Sequence, residues 1–598
     1  MNTLTNNKIN NVKGKGKCKV KGKGKNNKKN KKSKKNYSSK VNSCHKSEHM
    51  SQRKLNLDTD TWTVIDHYFK QYNNRQLIRH QLDSYNDFIK NQLNDIIKQF
   101  NDVIIYHDFQ VEHNKHINEL HITFGNIHLG HPIIFENDGS CYPMSPQTAR
   151  YRNMTYSSLL QIDTLIKVIK RSGDNLQNEE ISYKKLNNIN YGKIPIMIQS
   201  KYCYLNQQKD INRENSGECR FDMGGYFIIS GNEKVIVSQE IIAPNIVCVF
   251  KNIKNKKKFK EKADVKSVPD DKFSVAKNCS VKWITKTGFI RLSIPCFRQE
   301  IPLFVIIKAL GMETDKSALK CIVYDIDNSK NEKIIKLLQP SFTDINNLKK
   351  IHKLDTQEDA LLYLTKITNY IGIIREIKMS VEDKVEYIKG VLRRELLPHI
   401  GNSYCKKAYF IGYMVNKMIN CNLGNYEYDD RDSYINKRMD TPGSLMAGLF
   451  RQCFNRLVKD MKNSILKELN SNKNNKDISK LINENNIYKL LKPATISGCM
   501  KYALATGNWG IKSNSNSKNG KVGTAQVLNR LAYNSTISHL RRINSPLGKG
   551  GKIIDPRKLH NTQWGYLCPA ETPEGGSVGL VKNLSMTTHI TIRSSSIL

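Results

Sequence analysis

Gly523-Thr-Ala-Gln-Val-Leu-Asn-Arg530, Ser538-His-Leu-Arg-Arg-Ile-Asn-Ser-Pro-Leu-Gly548 and Leu559-His-Asn-Thr-Gln-Trp-Gly-Tyr-Leu-Cys-Pro-Ala-Glu-Thr-Pro-Glu-Gly575 crowd four kinds of group onto one short stretch. Arg530, Arg541, Arg542 and Arg557 are able to meet phosphate, and Lys549-Gly550-Gly551-Lys552 lets a backbone approach closely. His560 donates or accepts, and Glu571 and Glu574 sit in a turn stiffened by Pro569 and Pro573. This equipment suits a surface built against a polyanion. Paired carboxylates also do acid and base work. Glu574 is therefore read either as aimed at a reacting nucleotide or as part of a turn held by Arg and backbone N–H groups.

The whole chain is basic, with a formal net charge of +42 over 598 residues. That balance points to a nucleic-acid or other polyanionic partner. Residues 1–54 hold 18 Lys and Arg against the single acid Glu48 and have almost nothing to bury, so they are expected to be disordered. They read as a basic arm that adds non-specific nucleic-acid affinity, as an import address, or as a tail with no selected role. The length exceeds what one core supports and predicts roughly three to five domains. The 14 cysteines show no zinc-ligand spacing, which predicts no zinc and small buried apolar thiols in a reduced, intracellular, soluble protein. No apolar run reaches the roughly 18 residues of a membrane span.

Apolar residues from Trp62 to Ile97 recur at helical spacing and predict two opening helices. His121 to Leu129 alternates like a strand, and Tyr226 to Val237 reads as a hairpin turning at Gly231-Asn232. The region from about 222 to 330 is expected to be strand-rich, with a Lys-rich loop at Lys251 to Lys262 and helices returning after about 355. The clearest helix runs from Thr441, an N-cap followed by Pro442, to Leu469, with Leu445, Leu449, Phe450, Phe454, Leu457, Val458, Met461 and Ile465 on one stripe. Its polar face carries Arg451, Arg456, Lys459, Lys462 and Lys467 and is read chiefly as a solvated face. Asn470 to Asp477 and Ser513 to Gly520 read as surface loops. The fold class is α+β, multi-domain.

Glu427, Asp429, Asp430, Asp432 and Asp440 form an acidic cluster of the kind that holds Mg²⁺ in a nuclease. Arg431, Lys437 and Arg438 lie among them, and alternating signs at this density favour a structural ion-pair network.

Longer motifs point to a family. They are Tyr142-Pro-x-x-Pro-Gln-x-Ala-Arg-x-Arg-Asn-x-Thr-Tyr156, Ile194-Pro-Ile-Met197, Phe221-Asp-Met-Gly-Gly-Tyr-Phe-Ile-Ile229, Glu233-Lys-Val235, Asp429-Asp-Arg-Asp432, Lys501-Tyr-Ala-Leu-Ala-Thr-Gly-Asn-Trp-Gly510 and the terminal block. With them the chain resembles the N-terminal half of the second-largest (beta-type) subunit of multisubunit DNA-directed RNA polymerase, of the polymerase II and large-DNA-virus type. The Lys/Asn-rich composition is compatible with a giant virus.

The resemblance implies a tail at 1–54, a protrusion at 55–221 resumed at 437–510, a lobe at 222–436, a fork at 511–591 and the start of a further domain at 592–598. It implies fork loops at Ser513–Lys521 and Leu547–Ile554, nucleic-acid contacts by Gln526, Arg541, Arg542, Lys549, Lys552 and Arg557, and Glu574 near the growing RNA end. The Asp429 cluster would be structural. Mg²⁺ would be bound by the assembled enzyme and not by this chain, and the partners would be the largest subunit, a polypeptide with the missing C-terminal half, other polymerase subunits, template DNA and the RNA–DNA hybrid. The enzyme would transfer nucleotides in DNA-templated RNA synthesis, in a nucleus or a virus factory or virion, and this chain alone would be inactive. A non-catalytic basic DNA-binding protein is the competing expectation. Gly576 and Lys558 stand where the polymerase II type has Gln.

Overall fold

The structure, a computed structural model, describes residues 57–71, 75–110, 115–172, 178–207, 217–252, 258–269, 276–368, 380–471, 486–510, 521–547 and 553–592. The basic tail, the loop 513–520, Lys549 and Lys552 lie outside them. The chain falls into two units, Met1–Val64 and Ile65–Leu598. In the first, the described residues 57–64 are helical.

The second unit begins its core with the helices Arg79–Asp87 and Leu93–Gln99, joined by the wider turn Phe88–Gln92. Tyr85, Phe88, Leu93 and Ile96 are buried, which is the helical periodicity the sequence displays. A four-stranded antiparallel sheet follows, in the order Val103–Gln110, Lys115–Leu129, Ser157–Ser172, Asn178–Pro195. Leu120, Ile122 and Phe124 point inward, two residues apart as the pleat requires.

The helix Pro442–Ser471 covers that sheet. It starts where Thr441 and Pro442 predict, the Leu445 N–H donating to Thr441 O at 3.0 Å, and its entire apolar stripe is buried. Phe454 meets Phe100 and Phe124 at ring-centroid distances of 5.3 Å each. At Gly443 an added Cβ would lie 1.8 Å from Ser84 O, so only glycine allows this helix to cross Arg79–Asp87 backbone to backbone.

The hairpin forms as Phe227–Ile229 against Asn232–Ile236, but it turns one residue earlier than expected, at Ser230-Gly231. Both have positive φ, 48° and 79°, as a two-residue hairpin turn with matching twist requires.

A second core takes up residues 247–421. Five antiparallel strands, Cys248–Lys251, Phe259–Ser267, Lys277–Ile284, Ile290–Ser293 and Ile301–Pro302, pair in sequence order and pack with helices. The helices begin at Leu303, well before 355: Leu303–Ala309, Asp315–Val323 and Glu332–Lys349 precede the expected return. Leu303–Ala309 is buried on every side, so its run of Leu, Phe, Val and Ile carries no periodicity to separate helix from strand. Lys407, fully buried, donates to Leu392 O (2.8 Å) and Arg393 O (2.7 Å) at the end of the helix Val381–Arg394. Burial pushes its ammonium down to about 8, which leaves it charged at neutral pH against the negative end of that helix.

The first core gathers residues from 78–236 and again from 445–540, on either side of the second in sequence. A sheet of Lys437–Asp440, Ser238–Ile242, Arg542–Asn544 and Val581–Asn583 links the two stretches, with Ile543, Leu567 and Leu584 as a small third core.

Cys203, Cys248, Cys279, Cys321 and Cys421 are buried, as expected, but Cys141, Cys219 and Cys405 are exposed and Cys296 and Cys568 half-buried, so the expectation of buried thiols holds for only some of them. The side chains of Cys453 and Cys499 meet beside the first core. Among the described residues no helix is long and apolar enough to cross a membrane.

Candidate nucleic-acid interface

The helix Tyr533–Leu540 organises the terminal block. Leu540 enters the first core, and His539 is turned inward with 3% exposure. Its Nδ1 accepts from the Asn529 N–H (3.1 Å), so the ring proton is on Nε2, which donates to Gln526 Oε1 (2.9 Å). The Gln526 amide donates in turn to Gly523 O (3.1 Å). Gln526 is thus held at both ends of its amide on the strand Ala525–Val527. Burial and then the Arg542 charge push His539 down to about 4.

Because the folded imidazole resists protonation while the unfolded one accepts a proton near 6.5, stability falls as pH drops from about 6.5 towards 4. The loss expected from this residue is about 3 kcal/mol at pH 4. Urea melts at pH 7 and pH 4 check it: His539→Gln should lose less stability on acidification than wild type, and parallel losses would refute the assignment.

The two neighbouring arginines part company. Arg541 ends the helix with 6% exposure, and its guanidinium donates to Leu77 O, to Ser585 O (2.5 Å) and to Met586 O (3.2 Å). Burial pushes its pKa down. Arg541 therefore braces the backbone at Leu77, Ser585 and Met586. Arg542 opens the strand Arg542–Asn544 opposite Asn583, half-buried, and its side chain has no hydrogen bond or ion pair to any described residue. Its Nε is buried without a partner.

Arg557 donates to Gly576 O (2.8 Å) and Val578 O (3.0 Å) and so clamps the turn after Glu574. Gly579 makes that clamp feasible, since a Cβ there would lie 2.1 Å from Arg557 O. Glu571 accepts from the Ser538 hydroxyl, whereas Glu574 is exposed at the start of the turn Gly575–Ser577 with no partner among the described residues. Arg530 is not a free cation: it donates to Glu233 Oε2 (2.6 Å) and Asp222 Oδ2 (3.1 Å).

The acidic cluster is a network of pairs. Asp429 accepts from the Val249 N–H and from Lys417, both at 2.8 Å, and Asp430 from His560 (2.8 Å) and the Asp432 N–H (2.9 Å). Arg431 lies 3.9 Å above the Phe250 ring, and Asp440 pairs with Lys521 at 3.2 Å. Among the described residues no group of three His, Cys, Asp or Glu is placed to hold a metal ion. Asp429, Asp430 and Asp440 are thus each held by a cation or a backbone N–H, as an ion-pair network requires.

Two networks escaped the sequence reading. Arg150 binds Glu218 (2.7 Å), Glu233 (3.0 Å) and Tyr226 (2.7 Å). Glu240 lies between Lys437 (3.0 Å) and Lys582 (2.8 Å). Arg150 and Glu233 both fall within quoted motifs, and that was the available signal.

Residues 76–489 match the family model described as RNA polymerase beta subunit, and residues 526–590 match RNA polymerase Rpb2, domain 3. The chain belongs to the RNA polymerase beta subunit family. It is 37% identical over 553 residues to DNA-directed RNA polymerase II subunit 2 of Arabidopsis thaliana, covering 90% of this chain and 44% of that one. Against DNA-directed RNA polymerase subunit Rpo2 of Saccharolobus shibatae the identity is 34%, over 90% of this chain and 42% of the relative. Against subunit Rpo2N of Methanococcus vannielii it is 31%, over 88% of this chain and 95% of the relative. This member of the RNA polymerase beta subunit family therefore spans less than half of the polymerase II and Rpo2 relatives and nearly all of Rpo2N.

Proposed function

We propose that the chain is the N-terminal part of the second-largest subunit of a DNA-directed RNA polymerase, shaping the active-centre cleft and guiding nucleic acid during DNA-templated RNA synthesis. Its kinship with Rpo2N, matched nearly end to end, supports a subunit that pairs with a separate polypeptide carrying the remainder. The largest subunit and other polymerase subunits complete the assembly, which supplies the Mg²⁺ sites for nucleotidyl transfer.

Under this reading 55–221 and 437–510 form the protrusion, 222–436 the lobe and 511–591 the fork. The first core, which resumes after residues 247–421, supports an inserted lobe. Arg542 carries the nucleic-acid role, a reading supported by a half-buried side chain with no hydrogen-bond or ion-pair partner among the described residues, on the strand that follows the His539 helix. Arg557 holds the turn that presents Glu574 towards the growing RNA end, and His539 fixes the Gln526 amide. Lys549 and Lys552 add phosphate contacts from the second fork loop.

Purification from the native source tests the assembly. The chain is expected to co-elute with a largest subunit and with a polypeptide homologous to the rest of the relatives. A solitary DNA-bound species would replace this reading with that of a non-catalytic DNA-binding protein.

A further inference from the structure

The helix Val381–Arg394 buries Ile388, Val391 and Leu392 and turns its other side outward. Along that side runs a groove of about 620 Å³, lined by Asp383, Glu386, Tyr387, Gly390, Arg393 and Arg394, with Asn402 beside them. Its charges are sorted by position. Glu382, Asp383 and Glu386 are exposed in the first half of the helix, and Arg393 and Arg394 are exposed at its end. Part of this order serves the helix itself, because acids suit an N-terminus and bases a C-terminus. The Asp383 carboxylate belongs to the cap, accepting from the Ser380 N–H (3.2 Å) and hydroxyl (2.8 Å), and Arg393 lies 5.8 Å from the Tyr404 ring.

Glu386 and Arg394 are placed differently: neither side chain has a hydrogen bond or ion pair to any described residue. Ions on other helices find a partner one turn away, as Lys336 does in Glu332 (2.7 Å) and Arg79 in Asp83 (2.8 Å). Here the residue one turn from both is Gly390. Glycine is a poor choice for a helix interior. Packing among the described residues does not demand it, since the nearest atom to an added Cβ is Nη2 of Arg394, at 3.2 Å, the end of a long flexible side chain. What the glycine does provide is a low floor to the groove, on which another helix can settle.

The face is complementary to itself. Helical side chains lean towards the N-terminus, and the Arg394 guanidinium accordingly lies level with Gly390. A two-fold axis passing beside the helix between Glu386 and Gly390 sets a second copy antiparallel, its acidic half against this basic half. We propose that this face binds a second copy of the chain, forming a two-fold dimer held by two reciprocal Arg394–Glu386 pairs across the glycine floor. One helix pair buries less than about 1,200 Å², so the association is weak and reversible. It requires neither nucleic acid nor any other polymerase subunit.

Sedimentation equilibrium of the nuclease-treated full chain, over micromolar concentrations, reads the dimer. Wild type is expected to pass from monomer to dimer as concentration rises, and added salt should weaken the association. Glu386→Arg opposes two guanidinium groups and Arg394→Glu two carboxylates, so each variant alone should dimerise about tenfold more weakly. Mixed in equal amounts, the two variants restore both contacts, because each again joins a guanidinium to a carboxylate. The mixture should therefore dimerise as wild type does, which chains that had merely failed to fold could not do. Gly390→Leu, which raises the floor without touching either charge, should also abolish the dimer while leaving the thermal melt unchanged or higher. A wild type that stays monomeric at every concentration, single variants that associate like wild type, or a mixture no tighter than its components would each overturn the proposal.

Discussion

Glu240→Gln is expected to destabilise the protein by about 3–5 kcal/mol, because it leaves two ammonium groups facing one another in a buried site. Glu240 is 5% exposed on the strand Ser238–Ile242. Its Oε1 pairs with Lys437 at 3.0 Å, and its Oε2 with Lys582 at 2.8 Å and with the Tyr434 hydroxyl at 2.6 Å. Burial by itself would raise the carboxyl pKa, but the charges of Lys582 and then Lys437 outweigh it and hold Glu240 down to about 2. Since the folded value lies below the ordinary 4.5, the contribution is fully present above about 4.5 and disappears as pH falls through about 2.

Both lysines come from the edge strands of the sheet that contains Glu240, so the loss is expected to loosen first the ties that Glu240 makes from Ser238–Ile242 to Lys437–Asp440 and to Val581–Asn583. Urea denaturation at pH 7 measures it, and a loss below about 1 kcal/mol would contradict the assignment. Replacing the carboxylate and both lysines together by Leu or Met should recover much of the stability, because no uncompensated charge then remains buried.

Local signals were readable and long-range pairings were not. Thr441-Pro442 and a 3.6-residue apolar period mark the helix Pro442–Ser471 because cap, first-turn proline and stripe all act within a few residues. The hairpin slipped by one residue because Ser230, not Asn232, shares positive φ with Gly231, where a Cβ would lie 2.5 Å from Asn153 Oδ1. Leu303–Ala309 was read as part of a strand-rich region because a helix buried all round loses its period. The Glu240 site was invisible because Lys582 lies 342 residues away. At the candidate interface, motif and composition brought Gln526, Arg542, Arg557 and Glu574 to notice. Nothing in them separates a guanidinium bound to backbone carbonyls from one that is free.

Arg541 and Arg542 put that distinction to the test, since adjacent residues of one type are expected to fail in opposite ways. Arg541→Ala removes the donor shared by Leu77 O, Ser585 O and Met586 O and should cost about 3–5 kcal/mol, given roughly 1–3 kcal/mol for each buried acceptor left unpaired and partial rescue by water. Arg541→Lys should recover little, because an ammonium cannot span three carbonyls with the planar fork of a guanidinium. Arg542→Ala removes no bond to a described residue and should change stability by no more than about 0.5 kcal/mol. Its effect should appear instead on nucleic acid: one phosphate contact fewer lowers the slope of log K against log salt by about 1. The measurement is salt-dependent retention of a template–transcript hybrid by the assembled complex, beside urea melts of the chain. An unchanged salt slope for Arg542→Ala would remove it from the interface, and normal stability for Arg541→Ala would return that residue to the set of phosphate contacts. The two outcomes are independent, because a chain weakened at Arg541 loses folded protein at every salt concentration, whereas a chain altered at Arg542 loses affinity chiefly where counterion release drives binding.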